Sequence, residues 1–174
     1  MSKLKVKLST EAIDGSVVDA INHMDAIPQD NPNDPVVGLF GTCAESKWRD
    51  EIIPLLKCNY FNPVVDDWNE EAQVQEDLMR KTASLIAFTI TPELEGFYSF
   101  VEMTQLALER PSHVVICFLE KYGDKSFNAS QIKSIEAISK LMDGYKVPVL
   151  DSLEELAKYI NLKVPSKSSS DISK

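Results

Sequence analysis

Short apolar runs alternate with segments of helical spacing along most of the chain, and this alternation constrains the fold more than any other feature. Five apolar runs have the length and composition of strands, and helix-patterned segments separate them and follow the last one. The runs are residues 36–41, 60–65, 85–90, 113–119 and 147–150. Strands joined through helices by short connections predict a parallel sheet with helices on both faces and right-handed crossovers. We therefore expect an α/β protein with a five-stranded, mainly parallel sheet.

The segments that flank this alternating region differ from it in composition. Residues 1–35 begin with alternating lysine and apolar residues and end in a stretch rich in proline, asparagine and aspartate, which is typical of an extended loop. The end of the chain is rich in serine and lysine, a composition typical of disorder. We predict an N-terminal extension and linker over 1–35, one domain over 36–162 and a disordered tail over 163–174.

Composition and charge disfavour several classes of protein. The net charge of -9 opposes binding to a nucleic-acid polymer, which requires basic surface. No apolar run approaches the length of a membrane span, and the first residues lack the continuous apolar region of a secretory signal. The three cysteines form no closely spaced pair, and no metal-ligand spacing is present. We expect a cytoplasmic protein with no membrane partner, no metal and no organic cofactor.

Polar side chains cluster directly after the predicted strands. They occupy residues 41–46, 66–68, 89–102 and 122–128, which follow the first four strands in turn. The carboxyl ends of parallel strands meet at one edge of the sheet, where open α/β sheets bind ligands. The sequence therefore predicts a ligand site at this edge.

Glu102 is the candidate with the clearest chemical role. It falls in the first turns of a helix that follows the third strand, and the helix macrodipole there favours an ionised carboxylate. The residues expected to face inward from this helix are Phe97, Phe100, Val101, Ala107 and Leu108. Another side is expected to carry Tyr98, Ser99, Glu102 and Gln105. An ionised carboxylate flanked by hydroxyls in a crevice suits a nucleophile, and an ordinary solvated helix residue is the alternative.

The second strand ends in two acids and a tryptophan. Asp66 or Asp67 suits a proton donor, and Trp68 suits a flat wall for an aromatic ligand. The alternative is that Asp67 caps the next helix and Trp68 packs beneath it.

The first strand ends in a glycine followed by hydroxyls. The stretch from Gly41 through Thr42 to Ser46 suits an anion or ligand site at a helix start. It is equally compatible with a plain strand-to-helix turn in which Thr42 or Ser46 is the N-cap. Lys47 and Arg49 just beyond it can serve a phosphate or lie on solvated surface.

Three motifs in order resemble the nucleoside 2-deoxyribosyltransferase-like family. They are Gly41-Thr-Cys with Ser46-Lys-Trp-Arg49, Phe61-Asn-Pro-Val-Val-Asp-Asp-Trp-Asn69, and Ile90-Thr-Pro with Gly96-Phe-Tyr-Ser-Phe-Val-Glu102. The resemblance implies a Rossmann-like/flavodoxin-like three-layer sandwich that cleaves or exchanges the bond between a nucleobase and its sugar. It also implies a small-molecule nucleoside or nucleotide as substrate and a homo-oligomer with sites near subunit contacts.

The resemblance also implies roles for individual residues. Glu102 matches the glutamate that attacks the anomeric carbon, and Asp66 or Asp67 occupies the place of the acid that protonates the departing base. The predicted catalytic residues are Glu102, Asp66, Asp67 and Tyr98. The predicted substrate-binding residues are Gly41, Thr42, Ser46, Trp68, Thr91 and Ser99.

One departure from the family separates two functional hypotheses. Better-studied transferases carry an aspartate at the end of the strand before the nucleophile, where this chain has Thr89-Ile-Thr-Pro92. The chain resembles a divergent branch, for which hydrolysis by water is as open as transfer to a second base. The alternative from another class is a protein that binds or senses a nucleotide-derived ligand in the same cleft without catalysis.

Overall fold

A parallel five-stranded sheet forms the centre of the fold, as the alternating sequence predicts. The computed structural model describes residues 35–43, 46–64 and 69–166. Its strands are β1 Val36–Gly41, β2 Asn59–Phe61, β3 Leu85–Ile90, β4 Val114–Phe118, β5 Lys121–Tyr122, β6 Lys125–Ser126 and β7 Val149–Leu150. The sheet has the order β2-β1-β3-β4-β7, and every neighbouring pair is parallel. β5 and β6 form a separate antiparallel hairpin within the loop after β4.

Helices follow the strands as the sequence predicts, and local signals explain where they begin and break. The helices are α1 Trp48–Ile52, α2 Glu70–Thr82, α3 Tyr98–Glu109, α4 Ala129–Gly144 and α5 Leu153–Lys163. Pro54 ends the α-helical pattern of α1, and a 3₁₀ turn, Ile53–Leu55, continues it. Asn128 caps α4 in a capping box with Gln131. None of the helices in the described ranges combines the length and apolar character that a membrane crossing requires.

The helices cover both faces of the sheet, which confirms the three-layer prediction. Along β3, Leu85 and Ala87 contact the core on the face covered by α1 and α5, while Ile86 and Phe88 contact the other core. Helices α2, α3 and α4 contribute to that second core. Because side chains alternate across a strand, burial of both sets requires a layer on each face.

The inward face of α3 differs from the sequence prediction. Phe97, Val101 and Leu108 are 80%, 60% and 51% exposed, whereas Met103 and Ala107 are fully buried. The sheet-facing stripe of α3 also carries two polar residues, Ser99 and Glu102, whose contacts with Gly41 and Arg80 fix the rotation of the helix. The prediction was wrong because it assigned the inward face from apolar residues alone. Helical spacing between Ser130 and Met142 likewise predicts an inward Leu141, and this is wrong, because Leu141 is half exposed and its neighbour Met142 is buried.

The predicted flanking segments fall mostly outside the described residues. The described part begins at residue 35 and ends at residue 166, so the extension over 1–35 and the tail over 163–174 stay predictions.

Candidate functional site

The candidate site lies where the order of the strands reverses. The chain crosses from β1 to β2 on one side and from β3 to β4 on the other, so a crevice opens at the carboxyl ends of β1 and β3. Gly41 pairs with Thr89 in the register of these two strands. The residues that follow the two strands therefore start as neighbours, although they are about fifty positions apart in the sequence.

Gly41 and Thr42 hold the end of β1 tightly against β3. Gly41 has a φ of 120°, and a Cβ atom there would lie 2.0 Å from the carbonyl oxygen of Thr89. The Thr42 N–H donates to that same carbonyl at 2.9 Å, and the Thr42 hydroxyl accepts a hydrogen bond from the Thr91 N–H at 2.9 Å. Thr42 is buried and uses its side chain to join the two strand ends.

Arg49 is buried beneath this turn, which corrects its predicted place on solvated surface. Its Nε donates to the carbonyl oxygen of Leu39 at 3.0 Å and its Nη1 donates to that of Thr42 at 2.8 Å. Its guanidinium carbon lies 4.3 Å from the centre of the Trp48 ring, a cation–π contact. Burial lowers the pKa of Arg49, but its bonds to main-chain carbonyls and its contact with Cys43 satisfy the charged group. Arg49 therefore holds the β1–α1 turn in shape and is not available to a phosphate.

A small hollow opens beside the turn. Its volume is about 130 Å³. It is lined by Cys43, Leu94, Glu95, Gly96, Tyr98 and Ser99. The Ser99 hydroxyl donates to the carbonyl oxygen of Gly41 at 3.2 Å, which anchors the first turn of α3 to the end of β1. Glu95 lines this hollow with a carboxylate, and sequence reasoning did not select it because it precedes the helix by three residues and matches no motif position.

Glu102 lies one turn further along α3 and is buried. Only 7% of the residue is exposed, and its carboxylate forms an ion pair with the guanidinium of Arg80 from α2. Burial raises the pKa of Glu102 to about 7, and the charge of Arg80 opposes this rise, while the charges of Glu76 and Asp77 add to it. The expected effect of the helix start, an ionised carboxylate with a low pKa, is therefore outweighed by loss of hydration.

Arg80 is a second residue of the site that sequence reasoning missed. Its guanidinium contacts Asp77 on its own helix and Glu102 on α3. Burial alone would lower the pKa of Arg80, but hydrogen bonds with Tyr98 and Asp77 and the charge of Glu102 raise it. Arg80 thus joins two predicted catalytic residues, Tyr98 and Glu102. No local pattern could reveal this, since the contact depends on how α2 and α3 pack.

The predicted site residues fall into three groups. Gly41, Thr42, Ser46, Thr91 and Ser99 converge at the ends of β1 and β3, where the hydroxyl oxygens of Ser46 and Thr91 are 3.5 Å apart. Glu102 and Tyr98 meet at Arg80, and Tyr98 is 62% exposed. Asp66, Asp67 and Trp68 lie outside the described residues. Within the described ranges, no three histidine, cysteine or carboxylate side chains are grouped as metal ligands would be.

Replacing Arg80 with glutamine is expected to raise the pKa of Glu102 above its value of about 7. Arg80 is the neighbour that lowers this pKa, and the influences that would remain, burial and the charges of Glu76 and Asp77, all raise it. A titration of the Glu102 side-chain carboxyl carbon by NMR measures the change. Lys81→Gln on the same helix removes an equal charge from an exposed position and should leave the titration unchanged. Equal curves for wild type and Arg80→Gln would contradict this assignment.

The same pKa sets the sign of a pH effect on stability. The pKa of Glu102 is about 7 in the folded chain and 4.5 for an ordinary glutamate, so the folded state retains a proton that the unfolded state has lost. The contribution of Glu102 to the free energy of unfolding therefore falls as the pH rises from about 4.5 to about 7 and is constant above that.

Neither the scanned protein-family models nor the curated protein sequences match this chain. The family resemblance accordingly depends on the three sequence motifs.

Proposed function

We propose that this protein breaks the N-glycosidic bond of a nucleoside, deoxynucleoside or nucleotide and passes the sugar to water or to a second base. Glu102 acts as the nucleophile. The observation that carries the proposal is the state of Glu102. It is a buried carboxylate with a pKa of about 7, one turn along α3 from Ser99, whose hydroxyl donates to the carbonyl oxygen of Gly41 at the end of β1. Strongly perturbed carboxyl groups in such positions are frequent at catalytic sites.

The chemistry follows from the charge that develops as the bond breaks. The C1′–N bond breaks with its electron pair leaving on the base, and positive charge develops on the sugar. The ionised oxygen of Glu102 stabilises this charge and bonds to C1′, forming a glycosyl ester. Water or a second base then attacks C1′ and frees the carboxylate. No metal or organic cofactor is needed in this scheme.

A purely structural ion pair is the competing explanation of Glu102, and its pKa argues against it. A pair kept for stability holds its carboxylate ionised, with a pKa below the ordinary range. Around Glu102, burial together with the charges of Glu76 and Asp77 outweighs the charge of Arg80 and raises the pKa above its ordinary value. Arg80 is better understood as a positioning residue that keeps enough of Glu102 ionised for attack.

The departing base requires a proton, and three carboxyl groups are candidates to supply it. The family resemblance favours Asp66 or Asp67, and Glu95 lines the hollow beside Ser99. A protonated acid next to the leaving nitrogen neutralises its developing charge. Separate Asp66→Asn, Asp67→Asn and Glu95→Gln variants distinguish them, because loss of the acid slows release of poor leaving bases more than of good ones.

Incubation of the full chain with a panel of deoxynucleosides, ribonucleosides and their 5′-monophosphates tests the proposal. We expect free base to appear with at least one of them, and a second base to be incorporated if the protein is a transferase. A second candidate function is the binding or sensing of a nucleotide-derived ligand without turnover, because Thr89-Ile-Thr-Pro92 stands where the better-studied transferases carry an aspartate. Saturable binding without release of base would support that alternative and overturn the catalytic proposal.

The outer face of α3 supports assembly as a homo-oligomer, which is part of the same proposal. Phe97, Tyr98, Val101 and Leu108 leave a large apolar stripe exposed next to the hollow. Exposed apolar stripes of this kind are typical of interaction sites. When two copies of α3 meet antiparallel across a two-fold axis, this stripe becomes self-complementary.

Val101→Glu is therefore expected to shift the chain from oligomer to monomer, because it places a charge in the middle of the stripe. Sedimentation velocity over a range of protein concentrations measures the change. Leu162→Glu on α5 is the matched control, since Leu162 is 81% exposed on another helix. A monomeric wild-type chain, or equal loss of association in both variants, would contradict this part of the proposal.

A further inference from the structure

A second cavity lies away from Glu102, at the edge of the sheet formed by β4 and β7. It is a groove of about 430 Å³ formed by α4, the first turn of α5 and the carboxyl ends of β4 and β7. The residues that line it are Phe118, Glu120, Ile132, Ile135, Glu136, Ser139, Lys140, Val149, Leu150, Asp151 and Glu155. None of them belongs to the hollow beside Ser99. Its volume is in the range of small-molecule sites.

The lining of this groove combines an apolar floor with an acidic mouth. Phe118, Ile132, Ile135, Val149 and Leu150 supply the apolar part. Four carboxylates stand around it against a single amine, that of Lys140. Because its floor is apolar and its charges are at the edge, the groove favours a ligand that is itself amphipathic.

The four carboxylates come from four different elements. Glu120 follows β4, Glu136 lies on α4, Asp151 follows β7 and Glu155 lies in the first turn of α5. All four are exposed, and none of them takes part in the ion pairs that Arg80 forms with Asp77 and Glu102. The mouth of the groove is thus negative from several directions, since four carboxylates stand against the single amine of Lys140.

Cys117 is buried in β4 and pairs with Leu150 of β7, which lines the groove. Burial, and to a smaller extent the charges of Asp151, Glu155 and Glu154, together raise the pKa of its thiol to about 12. The negative potential therefore extends into the end of β4.

We propose that this groove binds a linear aliphatic polyamine, with the methylene chain on the apolar floor and the ammonium groups at the carboxylates. Charge complementarity favours a cationic ligand. Because the carboxylates come from four elements, a ligand with several separated positive charges fits better than one with a single charge. The apolar floor favours aliphatic segments between those charges. This site is independent of the proposed chemistry at Glu102, and either can fail without the other.

The test uses 1,6-diaminohexane as the probe and 1,6-hexanediol as its uncharged counterpart of equal length. Calorimetric titration of the full chain should show saturable binding of the diamine that weakens with added salt, and no saturable binding of the diol. Backbone NMR shifts caused by the diamine should concentrate around Ile135 and Leu150. Equal behaviour of the two probes, or shifts centred elsewhere, would overturn the proposal.

Adjacent glutamates on α5 provide a matched pair of variants. Glu155 lines the groove, whereas Glu154 is exposed beside it and does not. Glu155→Gln should weaken diamine binding by up to about fivefold, the contribution of one exposed ion pair, and Glu154→Gln should change it less. Lys140→Gln should strengthen binding by a similar factor, a gain that a merely structural role of Lys140 does not predict. Equal losses in both glutamate variants, or weaker binding in Lys140→Gln, would contradict the site.

Two further probes separate this ligand class from others. If Mg²⁺, which carries the same charge as the diamine, displaces it at equal concentration, the carboxylates attract any divalent cation without selectivity. The proposal then fails. If a peptide of alternating lysine and leucine binds far more tightly than any diamine or triamine, the groove is a protein-docking surface and the polyamine assignment is wrong. We expect spermidine to bind more tightly than 1,6-diaminohexane. A low concentration of the peptide should leave the binding of spermidine unchanged.

Discussion

Glu102→Gln is expected to reduce the release of free base by at least about a thousandfold, the scale of losses when a catalytic nucleophile is removed. Glutamine has nearly the shape of the protonated carboxyl group but forms no glycosyl ester. Release of base from the best substrate of the panel, measured by chromatography, gives the result. Glu109→Gln on the same helix changes an exposed carboxylate and should retain activity. Activity of Glu102→Gln within tenfold of wild type would remove Glu102 from the mechanism.

The fold of Glu102→Gln can be checked separately from its activity. Below pH 7 most Glu102 side chains are protonated, because the pKa is about 7. Glutamine then resembles the group that it replaces, and the melting temperature at pH 6 should change little. Activity of the wild type should rise with pH through about 7, as the attacking carboxylate forms. Full activity well below that pH would contradict an ionised nucleophile.

Gly41→Ala is expected to destabilise the protein by about 4 kcal/mol or more, among the largest effects of a single substitution. Gly41 has a φ of 120°, and an added Cβ would lie 2.0 Å from the Thr89 carbonyl oxygen and 2.7 Å from its nitrogen. Since both obstacles are backbone atoms of the neighbouring strand, no side-chain rotation relieves the overlap. The melting temperature should fall by roughly 10 °C or more.

Gly144→Ala is the matched control for this substitution. A Cβ at Gly144 meets no atom within 4 Å, and the residue ends helix α4. Its effect on the free energy of unfolding should stay within about 1 kcal/mol. Similar melting temperatures for the two alanine variants would show that the end of β1 tolerates a side chain, and the close approach of Gly41 to Thr89 would then be wrong.

The fold could be predicted from sequence because its signals are local. The apolar runs at 36–41, 85–90 and 113–119 coincide closely with β1, β3 and β4, since strands buried on both faces are continuously apolar. The break after α1 has a local cause as well, because Pro54 cannot continue the helix. The two-residue strands β5 and β6 were missed, because a short polar hairpin has no apolar pattern to reveal it.

The candidate site could be predicted only in part. The convergence of Gly41, Thr42 and Thr91 follows from topology, because parallel strands end at one edge of the sheet. The positions of Arg49 and Arg80 could not be predicted, since a charged residue becomes buried only when main-chain carbonyls or carboxylates from other elements receive it. The pKa of Glu102 was misjudged for the same reason, as its desolvation depends on the packing of α2 against α3.

The most direct test of the account is intact-protein mass spectrometry after incubation with a 2′-deoxy-2′-fluoroarabinosyl nucleoside. The fluorine slows hydrolysis of the glycosyl ester more than it slows formation of the ester. The ester on the protein therefore accumulates. We expect one added fluorosugar per chain, located by fragmentation on Glu102 and missing from Glu102→Gln. Two results would contradict the assignment of Glu102 as the nucleophile. One is a fluorosugar attached to another residue, and the other is release of base from the fluorinated nucleoside with no adduct on Glu102.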